Sequence, residues 1–387
     1  MKIVHLCLSS FYIDNYSYQE NMLPKYHVLQ GHEVTVIASL VSFNSSGEPC
    51  LLEKESTKIT EDGYKVIRVD YKKAFYKFNK FVRIYNGISE LLELEKPDLI
   101  FMHDFSFLDV RKVISYVKKN RNVIMFVDCH TDYINSAQTW ISLNIFHKLI
   151  WRYYAKKISP YVQKFYGTTP LRSDFLRDVY NIDSKKIELL VMGIDDDLIK
   201  NKDRVLLKKN YAEKLNFKES DFVIVTGGKI DLKKNVHLLM KAVSNLNKVN
   251  VKLVIFGIVT TEMKNDFDSL FNSDCMIYSG WQNSNGIVDH LMFADLVVFP
   301  GTHSVLWEQA VGVGTPSVFK YWQGMTHVDV GGNCEFLYKD DVNEIENVLD
   351  NILESYDKYN VMAKQALEKG LKYFSYSDIS KRAIKSY

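Results

Sequence analysis

Short apolar runs rich in β-branched residues alternate with amphipathic stretches along the chain, and the whole alternation runs through twice. A run of this kind suits a strand buried on both faces, and the stretches between suit helices that cover those faces. The chain is therefore expected to be α/β with parallel sheets. In the first half the expected strands are Ile3 to Leu8, Val34 to Ser39, Lys65 to Val69, Leu99 to His103, Val123 to Asp128 and Phe165 to Thr168. The second half starts over with Phe222 to Gly227, Lys252 to Phe256, Met276 to Ser279, Leu296 to Phe299 and Pro316 to Phe319.

At 387 residues the chain exceeds one ordinary core, so two Rossmann-like domains are expected. Gly31 reads as the cap that ends the first helix before the second strand. Between the halves, Leu189 to Asp195 reads as a strand ending in glycine and acids, with an interdomain hinge near Gly193. The expected domains are 1–192 and 193–370, followed by a basic, aromatic helix over 371–387, capped by Ser377, that crosses back to the first domain. Ligands of such folds bind at the carboxyl ends of the strands, here in a cleft between the halves.

Composition narrows the function classes. The formal charge of +2 does not single out nucleic acid as a partner. Five cysteines without a CxxC pair point to a reducing compartment and against a zinc site. Met1 to Leu8 is too short an apolar run for a signal peptide, and no window has the apolar length of a membrane span. A cytoplasmic protein is expected.

The chemistry concentrates after the Leu296 to Phe299 strand. Pro300 and Gly301 make a tight turn, Thr302 and Ser304 are N-cap candidates, and a helix is expected from about Ser304. Its unpaired N–H groups and positive dipole end suit a phosphate, and Glu308, one turn in, suits an adjacent ribose hydroxyl. In Thr226-Gly227-Gly228-Lys229 and onward to Lys234-Asn235, a strand ends in two glycines followed by lysines. Gly228 allows close backbone approach, and Lys229 and Lys234 supply charge for a diphosphate. The GxxxxGK[ST] order of a P-loop is absent.

Taken in order, these segments resemble retaining glycosyltransferases of the GT-B fold, in particular glycosyltransferase family 4. Gly31-His32-Glu33-Val34-Thr35-Val36, Lys96-Pro97-Asp98, Gly193-Ile194-Asp195, Gly228-Lys229 through Lys234-Asn235, and Glu308-Gln309-Ala310 with Gly314-Thr315-Pro316 carry the likeness. The resemblance implies a nucleoside-diphosphate-sugar donor, with Lys229 and Lys234 at the diphosphate and Glu308 at the ribose. Gly257 and the Gly280-Trp281-Gln282 loop would flank the base. Two departures stand out. Pro300 occupies the position of the family's first glutamate, leaving His303 and Ser304 to replace that sugar contact. Tyr16 to Asn21 stands where a glycine-rich first loop is usual.

In the first half, His103-Asp104 and Asp128-Cys129-His130-Thr131-Asp132 follow strands. The resemblance assigns His130 to the transferred sugar. His103, Asp104 and Asp132 are candidate acceptor ligands, and Asp104 or Asp132 would be the base if the reaction inverts. Asp195-Asp196-Asp197 reads as a hinge loop rather than a metal-binding DxD, and no metal or other cofactor is expected. Residues 71–83 carry five cations and no acid, interleaved with Tyr71, Phe75, Tyr76, Phe78 and Phe81; residues 151–157 are similar. Both suit an anionic membrane surface. The expectation is a peripheral membrane glycosyltransferase of surface polysaccharide assembly acting on a lipid-linked glycan. A non-hydrolysing nucleotide-sugar epimerase and a non-catalytic sugar-nucleotide-binding subunit remain open.

Overall fold

The computed structural model describes residues 1–44 and 49–385. The chain divides into two compact units, Met1–Met192 with Tyr376–Tyr387, and Gly193–Ser375.

The first unit is built on an eight-stranded sheet in the order Ile187–Leu189, Lys164–Gly167, Ile124–Cys129, Leu99–His103, Lys2–Cys7, Glu33–Ser39, Lys65–Val69, Ser56–Ile59. All pairings are parallel except the last. Every residue of Leu99–His103 is buried, as its unbroken apolar run requires of a central strand covered on both faces. Ser56–Ile59 was not anticipated, because all four residues are exposed and carry no apolar alternation. It joins through backbone pairing at the edge. The strand expected over 189–195 is instead Ile187–Leu189, and the chain leaves the sheet there. Gly31 adopts φ +84° after the helix Gln19–Leu29, as its capping role requires.

The second unit holds a six-stranded parallel sheet in the order Met276–Gly280, Val251–Val259, Phe222–Ile230, Leu296–Phe299, Ser317–Lys320, Cys334–Leu337. Phe222–Ile230 and Val251–Val259 run past their expected ends. Two glycines permit this: Gly228 (φ +104°) and Gly257 (φ +117°) lie opposite each other in register. A β-carbon on Gly257 would stand 1.9 Å from the Gly228 carbonyl oxygen. The Asp195 carboxylate accepts from the Asp197 N–H, and Asp196 accepts from the Ser375 hydroxyl at 2.5 Å, so this acidic run organises a loop.

The C-terminal helix differs from expectation. Residues 371–374 end the long helix Tyr356–Phe374, Ser375 adopts an extended conformation, and a second helix, Tyr376–Ala383, follows. Ser377 therefore lies inside a helix and does not cap one; residues 386 and 387 lie outside the described residues. Tyr376–Ala383 packs in the first unit, where its Ser380 receives bonds from His27 and Gln30.

Candidate active site

In the second unit the loop after Leu296–Phe299 is held carbonyl by carbonyl. Asn235 Nδ2 donates to Pro300 O (3.2 Å), Trp322 Nε1 to Gly301 O (3.4 Å), and Lys234 Nζ to Thr302 O (2.6 Å) and His303 O (3.2 Å). Gly301 is required because a β-carbon there would come within 2.4 Å of the Lys233–Lys234 backbone. Lys234 thus acts as a staple of this loop and is partly buried. Burial lowers its ammonium to about 8, against the opposing pull of Asp231. Lys229, by contrast, is exposed.

The helix expected from Ser304 begins at Leu306 and ends at Gly312. Neither Thr302 nor Ser304 caps it by a side chain; the Ser304 carbonyl accepts the Trp307 N–H instead. Glu308 sits in its first turn, fully buried. His303 Nε2 and His327 Nε2 each lie 2.8 Å from Glu308 Oε1. Burial alone would raise the Glu308 carboxyl, but the two imidazoles overcome it and hold it well below its ordinary range. Trp307 stacks on Phe319 and meets the His303 ring edge-on, so packing fixes the pair. Gly228 reaches this helix, since a β-carbon there would meet Leu306 at 3.0 Å. Trp281, 62% exposed, follows Gly280 at φ +69°.

In the first unit a cavity of about 880 Å³ opens beside the carboxyl ends of Lys2–Cys7, Leu99–His103 and Ile124–Cys129. Tyr18, Gln19, Glu20, Arg83, His130 and Thr131 supply polar groups; Phe81, Leu108, Phe146, Ile150 and Trp151 supply apolar wall. Arg83 is fixed by donating to Ser9 Oγ (3.2 Å) and Ser106 O (2.7 Å). Phe146, His147 and Ile150 come from a π-helix, Ser142–Trp151, a rare form often found at functional sites.

His130 lines this cavity with 21% of its side chain exposed. Burial works against its charge, but Asp128 at 3.3 Å and Glu20 at 3.9 Å prevail and raise it to about 9. Asp104 also lines the cavity, yet its oxygens are occupied: Oδ1 accepts from Phe105 N, Ser106 N and Ser106 Oγ, and Oδ2 from Thr131 Oγ1. It organises the loop and is not poised as a base. Asp132 is buried, accepting from Ile134 N, Asn135 N and Arg172 Nε, and His103 is buried between His5 and Asp128. Neither is among the cavity's walls, so the expected acceptor contacts of Asp132 and His103 are not made there.

Two side-chain groups, Glu20/His103/His130 and His303/Glu308/His327, have nitrogen and oxygen atoms within 4.8 Å of one another. In the second group both Nε2 atoms face one carboxylate oxygen at hydrogen-bond distance.

Residues 208–369 match the family described as glycosyl transferases group 1. That match spans most of the second unit, Gly193–Ser375. The chain is a glycosyltransferase of the GT-B fold, and similar solved structures span nearly all of it. Sucrose-phosphate synthase from Thermosynechococcus elongatus superposes with a TM-score of 0.69 at 13% identity, covering 98% of this chain and 96% of that one. Anabaena HepE in complex with UDP-glucose gives 0.67 at 13% identity, over 99% and 98%. WaaG, a glycosyltransferase involved in lipopolysaccharide biosynthesis, gives 0.66 at 14% identity, over 99% and 100%. At such identities the likeness is one of fold. No curated protein matches the sequence significantly.

Sequence reasoning about this glycosyltransferase missed His327, Asp128, Glu20 and Gln19. Glu20 and Gln19 were visible only as part of an unusual first loop, and they become wall residues because Gln19–Leu29 starts there. His327 lies in a loop with no periodic signal, 19 residues from the carboxylate it contacts.

Proposed function

We propose that this glycosyltransferase moves a sugar from a nucleoside-diphosphate donor held on the second unit to a hydroxyl of a lipid-linked glycan, at an anionic membrane surface. The observation that carries the reading is the first unit's cavity, whose apolar wall suits an acceptor with a hydrocarbon part while its polar end suits a sugar. The segments that bring Phe81 and Trp151 to its wall carry side chains that a headgroup zone favours. Phe75, Phe78 and Phe81 are 85%, 59% and 67% exposed, and Lys72, Lys73, Lys77 and Lys80 stand exposed among them. Trp140, Leu149 and Tyr153 are also exposed, next to Lys148, Lys156 and Lys157. Tyr71 does not belong to this face, since it is buried and stacked on Tyr85. No helix among the described residues is long and apolar enough to cross a membrane, so contact would be peripheral.

On the donor side, exposed Lys229 would meet the diphosphate and the stapled loop 300–303 would border it. His303 would contact the sugar, and Glu308 would offer the ribose its Oε2, the oxygen that its two histidines leave without a partner among the described residues. The likeness to HepE, whose structures hold UDP and UDP-glucose, supports a nucleotide-sugar donor, and the likeness to WaaG, involved in lipopolysaccharide biosynthesis, supports a role in surface polysaccharide assembly.

Retention fits the acid groups. The C1–O bond to the diphosphate breaks, a C1–O bond to the acceptor forms on the same face, and the departing phosphate takes the acceptor proton. No protein base is required, which suits the occupied oxygens of Asp104 and Asp132. His130, charged and at the cavity wall, would orient the sugar. Nor does the reading require a metal ion.

The test is transfer from a panel of UDP-, GDP- and ADP-sugars to polyprenyl-linked and free glycans, with the product anomer read by NMR. Product formed only on the lipid-linked acceptor is expected. Equal use of free glycan would overturn the lipid assignment, and epimer formed from donor alone would overturn transfer.

A further inference from the structure

Four buried side chains and one carbonyl stand in file across the first unit. His27 Nε2 lies 3.1 Å from Ser380 O, His27 Nδ1 3.0 Å from His5 Nε2, His5 Nδ1 3.0 Å from His103 Nε2, and His103 Nδ1 2.8 Å from Asp128 Oδ2. His27, His5, His103 and Asp128 are all fully buried.

The two ends fix the protons. A carbonyl oxygen only accepts, so His27 Nε2 carries hydrogen; a neutral imidazole carries one, so His27 Nδ1 must accept. His5 Nε2 then donates and His5 Nδ1 accepts, and His103 Nε2 donates in turn. A neutral His103 would be left with a bare Nδ1 facing a carboxylate oxygen at 2.8 Å. Four gaps need four protons, and three neutral imidazoles supply three. The fourth belongs on His103 or on Asp128. Asp128 Oδ2 also accepts from Gln19 Nε2 (3.1 Å), and Oδ1 faces His130 Nε2 at 3.3 Å, as an ionised carboxylate would. Imidazole is also the stronger base by about two to three pH units.

We propose that the His27–His5–His103 file stores one excess proton as a His103 imidazolium paired with ionised Asp128, and thereby sets the charge on His130 at the cavity wall. His5, His27 and His103 are positioning residues, acting through Asp128. Burial pushes His5 and His27 down, His27 to about 3, which leaves His103 as the holder. Other groups face this array: Glu20 and Arg172 act on His130, His32 on His27, and Glu20 and Asp128 on the buried Cys7 thiol, which burial keeps neutral. The proton count does not depend on the proposed transfer reaction; only the consequence for a bound sugar does.

The file also explains why substitution should act in opposite ways at one position. Leucine at 27 or phenylalanine at 5 removes an acceptor, so neutral imidazoles then satisfy every remaining gap and His103 loses its charge. Glutamine at 27 can donate its amide to Ser380 O while its oxygen accepts from His5, so the count stays at four.

The experiment is two-bond ¹H–¹⁵N correlation of histidine-labelled protein, followed against pH. At pH 7 both His103 nitrogens are expected in the protonated range, with one protonated and one bare nitrogen in each of His5 and His27. A bare nitrogen on His103 would overturn the proposal. In His5→Phe and His27→Leu, His103 should become neutral and the His130 midpoint should rise by about half to one pH unit, as a like charge is removed. In His27→Gln both should stay at wild-type values. A His130 midpoint unmoved in the folded Leu and Phe variants, or a Gln variant that behaves like Leu, would also overturn it. Should His5→Phe fail to fold, the wild-type spectrum and the position-27 pair still decide. None of these readouts needs donor or acceptor, so failure of the transfer reading leaves them intact.

Discussion

His327 places its Nε2 2.8 Å from Glu308 Oε1, the same oxygen that His303 Nε2 reaches at 2.8 Å. Glu308 Oε2 is buried with no hydrogen-bond partner among the described residues. One carboxylate oxygen is therefore doubly served while the other is left for a hydroxyl donor. The loop that carries His303 is pinned at four successive carbonyls by Asn235, Trp322 and Lys234, which keeps the arrangement in place before any ligand arrives.

Breaking this pair should be costly. Glu308→Gln removes a buried charge between two imidazoles and is expected to lower stability by about 3 kcal/mol. Because the folded carboxyl titrates below its ordinary value near 4.5, its stabilisation is present above that pH and lost as pH falls below it. Urea unfolding at pH 7 and pH 4 should show a wild-type-minus-variant gap that narrows on acidification.

Gly257 offers a sharper structural test. Alanine there combines a left-handed φ of +117° with a β-carbon 1.9 Å from the Gly228 oxygen. Gly257→Ala should destabilise by more than about 3 kcal/mol and abolish nucleotide binding, read by thermal shift with UDP and GDP. Normal melting would show that the two strands can separate at this point.

The two lysines should behave differently. Lys229→Ala alters an exposed side chain and should leave stability within about 0.5 kcal/mol while reducing transfer by more than about a hundredfold. Lys234→Ala leaves two loop carbonyls without their ammonium and should cost about 1–3 kcal/mol in denaturant unfolding.

Membrane attachment is read by flotation with vesicles rich in anionic lipid. The double variant Phe75→Ala/Phe78→Ala should remain in the bottom fraction, as should wild-type protein at high salt, where screening weakens the lysine attraction. Wild-type protein that stays down at low salt would contradict the peripheral assignment.

His130 makes stability depend on pH in the opposite direction to Glu308. Its folded value of about 9 lies above the ordinary 6.5, so its stabilisation is complete below pH 6.5 and is lost as pH rises through 9. The span corresponds to roughly 3 kcal/mol at most, less where water screens the partly exposed ring. Melting of wild type and His130→Gln between pH 6 and pH 9.5 should show a gap that closes at the alkaline end.

The apolar runs by themselves determined the central strands of both sheets, because a strand covered on two faces is apolar without interruption; Cys334–Leu337, at one edge of the second sheet, carries only a partly apolar run and was not anticipated. They also placed Lys229, His130 and His303 at or just beyond strand ends, and Glu308 in the helix that follows the Leu296–Phe299 strand. The exposed edge strand Ser56–Ile59 was invisible, since backbone pairing leaves no side-chain pattern. Likewise, strand-end position could not separate Asp104 and Asp132, whose oxygens are spent on local N–H groups, from His130, which faces the cavity. Only tertiary structure brought His327 to Glu308 and lined up His27, His5 and His103 behind Asp128. Those contacts join residues far apart in the chain, and a hydrogen bond's partner is set by where the backbone returns, which no local periodicity records.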